Sequence, residues 1–329
     1  MMRVVHLDLD NTLIYSYKHI LPDSTGCPAV CAAGAAGGTG GGICNGAGDA
    51  MGVLDRSMNR RGEDRLCLKW QSGDISHTSG VGSEKEECRR FYICQDKFDC
   101  TWMNVETYKG RNISYMTEKT QILLGHLRKK CLIVPTTTRT IEQYNRIHIG
   151  ARPFEYALVC NGGILLVNGE SDHAWYAQSR ELAADSEREL QRAYELLKKE
   201  PLRKFELRFI EKLFVFTKCN DPDTVISRLN MELDAKKVDV LSNKEKVYVV
   251  PKKLDKGMAV GRFRAYIGAD EVIAAGDSRF DVPMVKAADT GVVPAGFCRK
   301  YQAEGNLKEM KGRQVFSEEM LTWIDGHIR

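Results

Sequence analysis

Arg3-Val4-Val5-His6-Leu7-Asp8-Leu9-Asp10-Asn11-Thr12 decides the fold. Its first half is a short apolar run of strand length, read here as a buried strand from Arg3 to Leu9. Two carboxylates sit at its end. Residues two apart on a strand project the same way, so Asp8 and Asp10 can address one point. Open α/β sheets bind ligands at the carboxyl ends of their strands, which is where this pair would lie. A second apolar strand, Val272 to Ala275, runs in the same manner into Gly276-Asp277-Ser278-Arg279-Phe280-Asp281. If the two strands are neighbours, Asp8, Asp277 and Asp281 gather carboxylates that need a cation among them. An all-oxygen donor set suits Mg²⁺.

Two further groups fit that picture. The strand Cys131 to Pro135 ends in Thr136-Thr137-Thr138-Arg139, and Lys256 opens a helix. Hydroxyls and an ammonium are what a phosphoryl group needs, although a lone threonine run is ordinarily a turn and a lone lysine a solvated charge.

Outward from these segments, strands and helices alternate. A helix is expected near Thr117 to Lys130, another near Ile141 to Ile149, and a strand over Tyr156 to Cys160. The turn Asn161-Gly162-Gly163 then leads into Ile164 to Val167. Later come a helix Gly257 to Ile267, a helix Val282 to Ala288, a strand Gly291 to Val293 and a closing helix Ser317 to Ile328. The alternation predicts an α/β fold with a doubly wound, Rossmann-like parallel sheet. Between about Asn168 and Pro251 the rhythm changes. One long helix (Ala177 to Lys199), a strand pair (Phe205 to Phe209, Leu213 to Thr217), a helix begun by Asp221-Pro222 and a second strand pair (Val238 to Leu241, Val247 to Val250) read as an inserted α+β cap domain. The expected division is a core at 1–19 and 107–166, an insert at 20–106, a cap at 167–251 and the rest of the core at 252–329.

The insert differs in composition. Residues 26–52 hold 10 glycines and 7 alanines, too few large side chains to offset the entropy of ordering, so disorder is expected over much of 20–106. The stretch Asp64 to Trp102 shows no sustained period and is expected to form a small satellite structure at most. Seven of the eleven cysteines lie in the insert. Cys88, Cys94 and Cys100 have five residues between each and the next, and no Cys-x-x-Cys pair occurs, so free thiols outweigh a zinc site. Gly37 to Gly42 follows no apolar strand and lacks a Gly-Lys-Ser/Thr ending, so it is not read as a nucleotide loop.

The ordered set Asp8-Leu9-Asp10-Asn11-Thr12, Thr137 before Arg139, Lys256, and Gly276-Asp277-Ser278 with Asp281 resembles the four motifs of the haloacid dehalogenase superfamily. The resemblance is closest to its Cof-type and sucrose-phosphatase-like branch, with Asn161-Gly162-Gly163 marking the passage into the cap. Thr138 stands where many relatives have glycine, which leaves open whether Thr136 or Thr137 carries the motif-two role. The resemblance implies a Mg²⁺-dependent phosphatase. In it Asp8 is the nucleophile, Asp10 the general acid and base, and Thr137 and Lys256 hold the phosphoryl group. Thr12, Thr136, Arg139 and Asn161 contact substrate. The metal is placed among Asp8, Asp10 through its backbone carbonyl, Asp277 and Asp281, where Asp281 either supports the metal shell or orients Lys256. The substrate implied is a small phosphorylated metabolite such as a sugar phosphate, with Arg208 and Lys212 of the cap as weaker candidates for contacting it. The alternatives are a phosphotransferase or phosphomutase with the same nucleophile, and a non-catalytic phosphate-binding regulatory protein.

Bulk properties exclude more than they name. A formal charge of +4, from 48 basic and 44 acidic residues, is too small for a nucleic-acid footprint. His6, Asp8 and Asp10 interrupt the apolar N-terminus, and no run of apolar residues is long enough to span a bilayer, so no membrane association and a cytoplasmic location are expected.

Overall fold

The computed structural model describes residues 2–16, 51–58, 64–71, 90–95, 98–150 and 153–328. It falls into two compact units, Met1–Leu13 with Leu123–Arg329, and Ile14–Ile122.

The first unit is built on a five-stranded parallel sheet. In spatial order its strands are Leu307–Glu309, Thr290–Val293, Glu271–Ala275, Arg3–Leu7 and Leu132–Pro135. The two acid-bearing strands are therefore neighbours, with Leu7 registered on Ala275 and, across the other edge, on Pro135. Strand residues of both alternating sets are buried, Val4, Val272 and Ala274 on one face and Val5, Leu7 and Ala275 on the other, so both faces of the sheet are covered. Against the first face pack helices Lys256–Ile267, Val282–Ala287 and Phe297–Tyr301, through Phe263, Met284 and Phe297. The closing helix Phe316–His327 buries Met320, Leu321 and Ile324. This is the expected α/β architecture.

Two antiparallel sheets supply the α+β part. Strands Tyr156–Val159, Ile164–Val167 and Glu170–Ser171 form one, and Ile164 pairs back onto Val159. The strand after Asn161-Gly162-Gly163 thus closes a hairpin and does not continue the parallel alternation. Gly162 has φ +84°, and a Cβ on it would lie 2.3 Å from the Ala259 Cβ, so the turn seats on the helix that carries Lys256 only with glycine there. The other sheet runs Arg208–Ile210, Phe214–Lys218, Lys246–Pro251, Val238–Asn243. One of its faces, with Val215, Val247 and Val249, packs on helices Glu187–Lys198 and Pro222–Glu232 through Leu190, Leu197, Val225 and Leu229.

The single long helix expected from Ala177 to Lys199 is two, His173–Ala184 and Glu187–Lys198. The break falls at Asp185-Ser186, residue types that divert hydrogen bonds from a helix interior. The Ser186 hydroxyl donates to the Lys237 carbonyl (2.7 Å), and Asp185 pairs with Lys253 (2.5 Å).

The second unit contains an antiparallel sheet of Tyr15–Ser16, Arg111–Thr117, Phe98–Tyr108 and Arg90–Gln95, and a separate pair Met51–Met58 with Asp64–Gln71. The expected resumption of the core at residue 107 falls inside one of these strands. Residues 51–58, 64–71, 90–95 and 98–106 are strand, and positions 26–50 of the Gly/Ala-rich stretch expected to be disordered lie outside the described residues. Trp102 packs edge-on against Tyr15 (5.4 Å between ring centroids), and the buried Glu106 accepts the Ser114 hydroxyl at 2.6 Å.

His6 is buried in the strand Arg3–Leu7 with its Nδ1 2.9 Å from the Thr136 hydroxyl, and its Nε2 has no hydrogen-bond partner among the described residues. Burial lowers its pKa to about 3, against an unfolded value near 6.5. A depressed histidine stabilises the fold above pH ~6.5 and forfeits that contribution as the pH falls, at no more than roughly 1.4 kcal/mol per pH unit. Urea titrations from about pH 7 to 4 are expected to show a shallower loss of stability for His6→Leu than for the wild-type chain. Parallel pH profiles would contradict the assignment.

Candidate active site

The first strand gives its last ladder bond at Asp8, whose amide donates to the Ala275 carbonyl at 2.9 Å. The chain then turns sharply, with Thr12 and Leu13 amides on the Leu9 carbonyl and Asn11 at φ 60°. Asp8 is only 6% exposed, Lys256 1% and Asp281 0%. Lys256 reaches both acids, with Nζ 2.5 Å from Asp8 Oδ1 and 2.6 Å from Asp281 Oδ1. The helix that delivers it begins at Lys256 itself, capped by Asp255, which accepts the Met258 amide at 2.7 Å.

Asp281 is held from all sides. Its second oxygen accepts the amides of Asp277 (3.2 Å) and Ser278 (2.9 Å) and the Ser278 hydroxyl (2.7 Å). A Cβ on Gly276 would lie 2.3 Å from the Asp281 Cβ, so this curl of the loop needs glycine at its start. Oxygens of Asp8, Asp277 and Asp281 lie within 4.8 Å of one another. The crowding shows in their acidity. Burial and then Asp281 push Asp8 well above the usual carboxylate range against the pull of Lys256, and the same two causes raise Asp277 to about 7. Burial works against the Lys256 charge, but Asp281 and Asp8 outweigh it and raise its pKa.

Asp10 has a different environment. Arg139 grips it with two parallel bonds, Nε to Oδ2 at 2.9 Å and Nη2 to Oδ1 at 2.8 Å, while Nη1 reaches the Gln143 carbonyl at 3.4 Å. Burial acts upward on this carboxyl, yet Arg139 overrides it and holds the pKa down to about 2. The side chain is 41% exposed, so water shares in that pairing.

Strand alternation separates the two threonines. The Thr136 hydroxyl turns inward to His6 and the Val134 carbonyl (3.2 Å), and so is not among the groups gathered at the strand ends. Thr137, also buried, accepts the Arg139 amide on its hydroxyl at 3.2 Å and donates its own amide to Leu158. Thr12 touches Asp277 Oδ1 at 3.5 Å. Asn161 acts as a tie, since its amide bonds the Thr137 carbonyl (2.9 Å) and its Nδ2 bonds the Leu254 carbonyl (3.2 Å), two residues before Lys256. Lys212 is exposed and its carbonyl accepts from Arg180, while Arg208 pairs with Glu206 and registers opposite Phe216.

The sequence reading missed the aromatic roof. Tyr248 packs edge-on against Phe280 (4.9 Å), the residue between the acids of the 277–281 loop, and against Phe216 (4.9 Å). Its hydroxyl bonds Thr138. The signal available was the alternation Lys246, Tyr248, Val250, which puts the three on one strand face. A cleft of about 460 Å³ adjoins Asp277, lined among others by Pro294, Phe297, Arg299 and Lys300.

Comparison with known proteins shows the family and the fold. Residues 112–294 match the model of the family described as haloacid dehalogenase-like hydrolase. The chain is 29% identical over 181 residues to a phosphoglycolate phosphatase of Methanopyrus kandleri, covering 52% of this chain and 73% of that protein. The sucrose-phosphatase of Synechocystis sp. PCC6803, solved with sucrose and phosphate, superimposes with a TM-score of 0.50 at 16% identity, over 64% of this chain and 89% of that one, and shares the fold. Among the described residues no helix is long and apolar enough to cross a membrane. Since the family match spans more than half of its length, the chain belongs to the haloacid dehalogenase-like hydrolases.

Proposed function

We propose that this hydrolase is a Mg²⁺-dependent phosphatase that cleaves a small phosphorylated metabolite, of sugar-phosphate kind or similar, through an aspartyl phosphate on Asp8. The observation that carries the proposal is the state of Asp8. One of its oxygens accepts the buried Lys256 ammonium at 2.5 Å, and the acid stands within 4.8 Å of Asp277 and Asp281. Burial and the Asp281 charge raise its pKa against the pull of Lys256, so a cation bound beside it would be what keeps the acid ionised as a nucleophile.

The donor set fits a hard cation. Asp281 is committed to Lys256 and the loop amides, and the Asp10 carboxylate to Arg139. The groups left to hold Mg²⁺ are the Asp8 and Asp277 carboxylates with the Asp10 carbonyl, and Asp281 builds the site from behind. Bound there, Mg²⁺ would neutralise charge on the phosphoryl oxygens.

The residues then divide the work. An Asp8 oxygen attacks phosphorus as the ester P–O bond breaks, and Thr137 and Lys256 bind the phosphoryl oxygens. Asp10 gives a proton to the departing alkoxide, then takes one from the water that releases phosphate and restores Asp8. In the free enzyme Arg139 holds Asp10 ionised, so a phosphate dianion that draws Arg139 to itself also frees Asp10 to carry a proton. The α+β segment at about 167–251 acts as the cap that selects substrate.

With Mg²⁺, the purified chain is expected to release inorganic phosphate from members of a phosphorylated-metabolite panel. Chelation should abolish release and added Mg²⁺ restore it. Phosphoryl transfer to a sugar acceptor without free phosphate would move the reading to a transferase. No turnover on any ester would leave a phosphate-binding protein.

A further inference from the structure

The turn that joins strands Tyr156–Val159 and Ile164–Val167 has an uncommon backbone. Cys160 stands at φ 52° and Asn161 at φ 60°, two consecutive side-chain-bearing residues in the left-handed region, within a turn closed by the Gly162 amide on the Val159 carbonyl at 3.0 Å. That region is costly for most residues, and asparagine enters it more readily than they do. Strain of this kind persists where the surrounding structure requires the geometry. Here it aims two backbone amides at the segment after strand Leu132–Pro135, Cys160 to the Arg139 carbonyl at 2.7 Å and Asn161 to the Thr137 carbonyl at 2.9 Å.

The Asn161 side chain reaches a different segment. Its Nδ2 donates to the Leu254 carbonyl at 3.2 Å, two residues before Lys256. Its Oδ1 is buried and has no hydrogen-bond partner among the described residues. An unpaired buried oxygen lowers stability, so a gain in stability does not account for the amide. What the residue does supply is a fixed span, bonded through its backbone to the segment that carries Thr137 and through its side chain to the segment that carries Lys256. Glycine would keep the backbone and lose the side-chain bond, and aspartate would face the Leu254 carbonyl with a carboxylate that can only accept.

We propose that Asn161 is a positioning residue of the phosphoryl site, setting the distance between the Thr137 hydroxyl and the Lys256 ammonium so that both meet oxygens of one phosphoryl group. The proposal rests on the phosphatase reading and replaces the expected contact of Asn161 with substrate by an action through its two neighbours. Because Asn161 then serves the phosphoryl group and not the alcohol that departs, its loss weakens every ester by the same factor and weakens inorganic phosphate as well.

The test measures kcat/KM of the purified full chain with Mg²⁺ on an aryl phosphate, a straight-chain alkyl phosphate and a polyol phosphate, together with calorimetric binding of inorganic phosphate to the same proteins. Asn161→Gly and Asn161→Ala both remove the amide, the first on a more flexible backbone and the second on a stiffer one. Each is expected to lose roughly tenfold or more in kcat/KM, by one factor on all three esters, because a group shifted from its productive place costs more than the bond that held it. Phosphate binding should weaken alongside, while the urea midpoint of Asn161→Gly stays close to that of the wild type. Cys160→Gly relaxes the same turn and leaves the amide in place, so it should keep wild-type rates. A loss that changes with the leaving group would make Asn161 a contact of the organic part, and a loss confined to one of the two folded variants, or shared by Cys160→Gly, would assign it to the turn backbone. Either result overturns the proposal. If no ester turns over, the phosphatase reading has failed and phosphate binding decides alone. Weakening by both Asn161 substitutions then supports the positioning role, and binding that they leave unchanged, or that the wild type lacks, overturns it.

Discussion

Asp8→Asn is expected to lose at least about a thousandfold in phosphate release, because the covalent route ends with its nucleophile. The substitution is close to isosteric, so the loss should come without unfolding. Asparagine can still accept the Lys256 ammonium on its amide oxygen, and one of three crowded acids has become neutral. Stability should therefore hold or rise near neutral pH, while activity disappears. A variant that retained more than a few per cent of turnover with an intact fold would remove Asp8 from the chemistry.

Lys256→Met should be nearly as damaging to turnover and, unlike the first, damaging to the fold. Lys256 is buried with an ammonium 2.5 Å from Asp8 and 2.6 Å from Asp281. Removing the cation leaves two buried acids facing each other, and breaking a buried pair in this way costs roughly 3–5 kcal/mol. The pH dependence has a definite sign. Asp8 and Asp277 already titrate above the ordinary carboxylate range, Asp277 near 7, and loss of Lys256 raises both further. An acid whose pKa is raised by folding costs stability increasingly as the pH rises from its unfolded pKa to its folded one, and that cost is full above the folded value. The deficit of Lys256→Met relative to wild type should thus be largest at about pH 8 and shrink on acidification through 7. Differential urea unfolding at several pH values checks this, and a deficit independent of pH would mean that packing, not charge, is what the lysine supplies.

The site was legible in the sequence where each functional group ends an apolar strand or begins a helix. Asp8, Asp277 and Lys256 needed only the knowledge that parallel strands align their carboxyl ends, and the register Leu7 on Ala275 delivers that. Groups whose direction depends on alternation were less legible. Thr136 and Thr137 are chemically identical, and only the strand pairing shows that one faces His6. Lys246 and Tyr248 looked like two residues of an ordinary hairpin until the partner strand defined their face. The strand Phe98–Tyr108 escaped notice because irregularities between Asn104 and Thr107 break its period of two. Arg139 was placed near substrate, but its grip on Asp10 depends on a turn that brings residues 129 apart into contact.

The central claim is a covalent phosphoryl group on one side chain. Asp10→Asn lacks the base for the second step, so an activated aryl phosphate, whose leaving group needs no proton, should load it and stall. Acid quench followed by proteolysis and mass spectrometry is predicted to find a phosphoryl group, labile to hydroxylamine, on the peptide containing Asp8. Turnover of the aryl ester with every peptide unmodified, or with the phosphoryl group on another residue, would contradict the account.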